Sequence, residues 1–174
     1  MIDSLEIFKK ADRLVQANGT RNAIELAEAS GVMVVPVPYF KSLLGMYTNE
    51  HRLRAMYLND RMDEYLTQTV AAHELGHDTL HKKQAHDKRF QEFELFRMNN
   101  KTEYEANAFA SHLLIDTDKC VEYMKNGYDI VTVAKCMNTE INLLLIKCQE
   151  LIKLGYNFRM PMEAHGDFLK KVKA

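Results

Sequence analysis

The chain has 174 residues, of which 47% are hydrophobic and 27% charged, with a formal net charge of -1 and a pI near 6.7. Such a chain can bury a core as one globular domain without disulfides or a structural metal, and its balance of charge gives a polyanion no electrostatic claim as main partner. No apolar run approaches the ~18 residues of a membrane span, residues 1–6 lack a secretory leader's basic and apolar regions, and Cys120, Cys136 and Cys148 read as reduced core thiols, so the expected location is the cytoplasm.

Asp3-x-x-Glu6 reads as a capping box that opens a first helix, stopped at Asn18-Gly19. A second helix runs from Thr20 to about Ser30 and ends at Gly31, the position of a left-handed cap. Val32 to Val37 is a β-branched run, and Pro36 and Pro38 place it at a sheet edge. Leu43 to Thr48 and His51 to Asn59 flank Asn49-Glu50 as a hairpin, the second arm alternating Arg52 and Arg54 against Leu53, Ala55 and Tyr57. Helical spacing returns from Asp63 to Lys82. Phe90, Phe93 and Phe96 at i, i+3 and i+6 suggest a short amphipathic piece. Thr102-x-x-Glu105 is a second capping box, opening a helix through Leu113-Leu114-Ile115. Helices over Thr117 to Asn126, Asp129 to Met137 and Thr139 to Leu154 complete the pattern, with Gly155 as the stop.

His73-Glu74-Leu75-Gly76-His77 places two histidines one helical turn apart, where both imidazoles can address one ion. Glu74 is rotated off the ligand positions but reaches the water such an ion activates, the place of a general base. A catalytic zinc takes three protein ligands and keeps one position open. Two carboxylates, Glu103 and Glu105, compete for the third place. Glu105 falls at N3 of the box opened by Thr102, with its carboxylate reaching back to the cap backbone. Glu103, at N1, points freely and is assigned as third ligand. Asn107, four residues on, shares its face, and its side-chain carbonyl can hold a ligand ring by the N–H opposite the metal. His81 extends the row, but eight residues rise ~12 Å, too far for three imidazoles to share an ion at ~2.0–2.1 Å. It is expected to face solvent or to stand behind the ligands. His112, Tyr65 and Tyr104 could donate to an oxyanion, yet each reads equally as a packed amphipathic side chain. His51, His86 and His165 carry no local signal.

His73-Glu74-Leu75-Gly76-His77, then Glu103-Tyr104-Glu105-Ala106-Asn107-Ala108-Phe109-Ala110, then Leu113-Leu114, resemble the ImmA/IrrE family of zinc-dependent metallopeptidases over about residues 20 to 155. The resemblance implies His73, His77 and Glu103 as metal ligands. It departs where family members usually show proline after the Leu-Leu run, since Ile115-Asp116 stands there. The expected fold class is α+β: a mostly helical, zincin-like domain with a small, largely antiparallel three-stranded sheet and a C-terminal helical part. One metallopeptidase domain would span residues 1–155, with N-terminal helices over 3–30, the sheet over 32–59, catalytic helices over 63–115 and C-terminal helices over 117–155. Residues 156–174 read as a tail.

The expected function is that of a zinc endopeptidase with Glu74 as catalytic base and Zn2+ held by His73, His77 and Glu103. The resemblance implies a phage or mobile-element setting and a helix-turn-helix repressor as protein substrate, with neither nucleic acid nor membrane as direct partner. Two other readings compete. The helices either side of Asn138 could form a DNA-binding helix-turn-helix, although Ile141 and Leu143 to Ile146 make the second one largely apolar and leave Lys147 and Lys153 as its basic residues. A zinc-binding regulatory module without turnover would show the same residues.

Overall fold

In the computed structural model, which describes residues 3–50, 53–82, 90–92, 96 and 101–158, two short helices come first: α1 (Ser4–Asn18) and α2 (Ala23–Ala29). Ile7, Ala11 and Val15 recur every four residues and form the buried stripe of α1. Asp3 stands at its N-cap, yet the side chain makes no cap hydrogen bond, and Glu6 pairs with Lys10 at 3.0 Å. The expected capping box is therefore not formed. Asn22, rather than Thr20, starts α2 by accepting from the backbone of Ile24 and Glu25.

The sheet has strand order β1-β3-β2-β4, with β1 (Met33–Val37), β2 (Gly45–Glu50), β3 (Leu53–Asn59) and β4 (Phe90–Glu92). β1 lies at an edge and runs parallel to β3, while β2 is antiparallel to both β3 and β4. An edge strand tolerates Pro36 because one side of it needs no ladder donor. Three details differ from expectation. Pairing continues through Glu50↔Leu53, so Asn49 and Glu50 are strand residues; the connection falls on 51–52, outside the described residues. Met56 and Leu58 are buried and Arg54 turns to Asp78 beneath the sheet, an ion pair at 2.9 Å, while of Leu53, Ala55 and Tyr57 Ala55 is buried, Tyr57 is half-buried and Leu53 is left exposed. Phe90 belongs to the unforeseen fourth strand rather than to a helix, and Phe96 sits at a turn with φ 64. Phe93 lies outside the described residues.

Helix α3 (Glu64–His81) is capped by Asp63, whose carboxylate accepts from Leu66 N–H at 2.7 Å. It is buried from Thr69 to Asp78, between the sheet and helix α4 (Lys101–Leu114). α4 already includes Lys101 and Thr102, so Thr102 is not its cap, and Glu105 is buried with one carboxylate oxygen on His81. The helix ends at Leu114 without a following proline because Arg21 donates to the carbonyls of His112 and Leu113 and pairs with Asp116. Asp116 in turn caps α5 (Thr117–Lys125).

α6 (Ile130–Cys136) and α7 (Ile141–Lys153) follow. Leu143 to Cys148, Glu150 and Leu151 of α7 are buried, and the helix packs on α4. Its apolar run is core. Cys120 and Cys148 are buried, but Cys136 is exposed, contrary to expectation. Among the described residues no helix is long and apolar enough to cross a membrane.

Lys147, one of the two basic residues of α7, is fully buried. Its Nζ lies 2.8 Å from Thr117 Oγ1 and 3.0 Å from His112 Nδ1, with the Phe8 ring at 5.9 Å. Burial pulls its pKa down to about 7, with Arg21 adding to the depression and Cys120, Asp116 and Cys148 opposing it. The unfolded chain then holds a proton that the folded chain has lost between pH ~7 and ~10.4, so stability rises with pH across that window. Replacing Lys147 with methionine should flatten that rise, which urea unfolding of metal-free protein from pH 6 to 10 would measure. Superimposable profiles would remove Lys147 as its source.

Candidate metal centre

The spacing of His73 and His77 on α3 projects both rings toward the first turn of α4, where Glu103 waits. His73 Nε2 lies 3.0 Å from His77 Nε2 and 3.2 Å from Glu103 Oε2, and His77 Nε2 lies 3.6 Å from Glu103 Oε1. Donor atoms of the three residues all fall within 4.8 Å of one another. Ligands ~2.05 Å from a tetrahedral ion stand about 3.3 Å apart. The observed edges bracket that value, so the cluster is compatible with a metal without large movement.

Both rings are nearly sealed from solvent, at 1% exposure each, whereas the Glu103 side chain keeps 18%. Burial drives the pKa of His77 down to about 3, against the opposing pull of Glu103, so the ring is a neutral donor at neutral pH. Burial would raise Glu103, but the nearness of His73 and His77 prevails and holds the carboxyl below its usual range. The neutral imidazole of His77, the ring of His73 and an anionic oxygen are donors of the type a divalent ion takes.

The ring nitrogens that face away from the cluster are also engaged. His73 Nδ1 lies 3.0 Å from Asn107 Oδ1, and His77 Nδ1 lies 3.1 Å from His81 Nδ1. His81 Nε2 is 2.9 Å from Glu105 Oε2. His81 is thus not solvent-facing but 3% exposed, as is Glu105. The Phe90 ring stacks on His77 at 4.0 Å between centroids and 12° between planes.

Sequence reasoning missed His81 and Glu105 as a pair, and it missed Phe90, Gly45 and the Tyr47–Asp78–Arg54 network. Of these, only the i+4 spacing of His81 from His77 carried a signal. The oxyanion candidates are engaged elsewhere. Tyr104 donates to Glu150 at 2.5 Å, His112 meets Lys147, and Tyr65 lines a cavity of about 520 Å³ that shares no residue with the cluster. His51, His86 and His165 lie outside the described residues.

The family described as IrrE N-terminal-like domain, a peptidase family, matches residues 27–163 of this chain. The chain is also similar to a protein of Bacillus phage phi105 described as "Uncharacterized immunity region protein 2", with 33% identity over 122 residues, 70% of this chain and 76% of that protein. The resemblance read from the two helix motifs thus extends over most of the chain.

Glu74 is fully buried and rests against β2 at Gly45. A Cβ there would stand 2.5 Å from Val70 Cγ1 and 2.9 Å from Glu74 Oε1, so only glycine admits the carboxylate at this depth. Gly45→Ala should cost about 1–3 kcal/mol through overpacking, read as a lower melting temperature. Metal stoichiometry should be unchanged, because the clash falls on Glu74 and Val70 rather than on the three donors.

Proposed function

The chain belongs to the IrrE N-terminal-like domain family, and from that premise we propose that it is a zinc-dependent endopeptidase whose substrate is a helix-turn-helix repressor of a phage or mobile element. Membership points to a metallopeptidase. The observation that carries the finer reading is the His73, His77 and Glu103 cluster, whose donor atoms lie within 4.8 Å of one another, with Glu74 next to His73 in sequence and fully buried. Zinc suits two imidazole nitrogens and a carboxylate oxygen with a fourth position open.

His73, His77 and Glu103 would hold the ion, which supplies Lewis-acid polarisation of the scissile carbonyl and makes water acidic enough to attack near neutral pH. Asn107 accepts from His73 Nδ1–H and so keeps Nε2 bare for coordination. Glu74 takes the proton of the attacking water and delivers it to the leaving amine nitrogen. Enclosure of the rings and of Glu74 excludes bulk water and strengthens each electrostatic contact. Similarity to a phage immunity-region protein supports control of a phage or mobile element as the setting, with a DNA-binding protein in the cytoplasm, rather than DNA itself, as partner.

Co-expression with the repressor encoded beside it tests the reading. The wild-type chain should cut that repressor. Glu74→Gln should keep the fold and stoichiometric zinc while losing ~10²–10⁴-fold in cleavage rate, and Glu103→Ala should lose zinc on dialysis, as elemental analysis would show. Stoichiometric zinc retained by the Glu103 variant would make the ligand choice wrong. Zinc uptake with no cleavage by the wild type would leave a regulatory module without turnover.

A further inference from the structure

We infer that His81 and Glu105 are positioning residues that fix the tautomer and ring orientation of His77; this rests on the metal-centre reading above. No metal bond is assigned to either. Their place is behind the ligand, in a row that runs from the cluster through His77 and His81 to Glu105, with contacts of 3.1 Å and 2.9 Å. His81 and Glu105 are each 3% exposed, so neither contact is a surface accident.

The proton count along the row has one solution that leaves His77 able to coordinate. Glu105, as a carboxylate, accepts, so His81 Nε2–H donates to it. A neutral imidazole carries a single N–H, which makes His81 Nδ1 an acceptor. The group opposite, His77 Nδ1, must then donate, and its Nε2 lone pair is directed at His73 and Glu103. With His81 neutral, as its burial favours, and Glu105 ionised, any other arrangement sets two N–H groups or two lone pairs against each other. Glu105 thereby fixes the tautomer of a ring it does not touch. The other ligand ring is held by a different device, the Asn107 amide, so the two histidines are oriented independently. A carboxylate behind the row also increases the electron density that His77 offers a cation.

The test uses the full-length chain, stripped with EDTA and titrated with zinc against a chromogenic chelator, with cobalt(II) absorption as a second readout. His81→Phe keeps an aromatic ring but removes the acceptor, and should weaken zinc binding ~10–100-fold. In His81→Asn, Oδ1 stands near the former Nδ1 and can accept from His77, so most of that loss should be recovered along with the cobalt spectrum of the wild type. Glu105→Gln keeps an acceptor but loses the charge, and should fall toward the lower end of the same range.

Melting of each metal-free variant separates positioning from packing. If His81→Phe does not fold, the His81→Asn and Glu105→Gln variants carry the comparison with wild type. Wild-type affinity in His81→Phe, or equal losses in the Phe and Asn variants that track their metal-free melting temperatures, would overturn the relay while leaving the metal centre intact. A wild-type chain that takes up neither zinc nor cobalt would overturn both.

Discussion

The contact on which the site depends is the close approach of α4 to α3 at Gly76. A Cβ on that residue would stand 3.1 Å from both Cα and carbonyl oxygen of Ala106, and 3.3 Å from the Phe109 ring. With hydrogen there instead, the two backbones come near enough for short side chains to bridge them. Asn107 needs that proximity to reach His73, and Glu103 needs it to reach both rings. Buried Ala71, Ala72, Ala106, Ala108 and Ala110 keep side-chain volume on these two helices small. The glycine between the histidines thus sets a distance between helices, while the histidines supply the chemistry.

The other side of α3 is fixed by polar contacts to the sheet. Asp78, next in sequence to His77, accepts from Tyr47 Oη at 2.5 Å and from Arg54 Nη1 at 2.9 Å and 3.1 Å, while Arg54 also donates to the Ser30 carbonyl. Burial, the Tyr47–Asp78 hydrogen bond and the Asp78 charge all push the Tyr47 hydroxyl far above its ordinary pKa, so it remains a donor. A buried ion pair adds little net stability once desolvation is counted. Its directional demand is what matters here. Rotation of α3 by even part of a turn would break the Asp78 contacts on the sheet side and the ring contacts on the α4 side together.

What could be read from sequence was what depends on neighbours along the chain. Two histidines at i and i+4 face the same way whatever surrounds the helix, and Pro36 confines its strand to an edge by its own chemistry. The misreadings arose where a distant partner overrode a local rule. Glu105 satisfied a capping rule in sequence, but His81, 24 residues away, claims its carboxylate. Arg54 reads as the outward residue of an alternating strand until Asp78 draws it inward. Phe90 matches a helical spacing, yet pairing with β2 and stacking on His77 make it part of a strand. Nothing local marks Lys147 as buried, and the packing of α7 on α4 puts it in the core. Local periodicity carries the order and kind of most elements, while the partner of a long polar side chain is a tertiary fact.

Enclosure links these layers. The cluster consists of two rings at 1% exposure and a Glu103 that keeps most of what opening there is, and Glu74, next to His73 in sequence, is fully buried. A carboxylate this close to a pair of buried imidazoles forms a set whose charge is balanced best by a dication. In a low-dielectric surround that balance is worth more than the same charges would be in water. The hydrogen bonds behind the rings run in the matching direction, since Asn107 and His81 are placed as acceptors and each turns a lone pair inward. The polarity of the site is therefore set from outside it, by side chains that need never meet the ion.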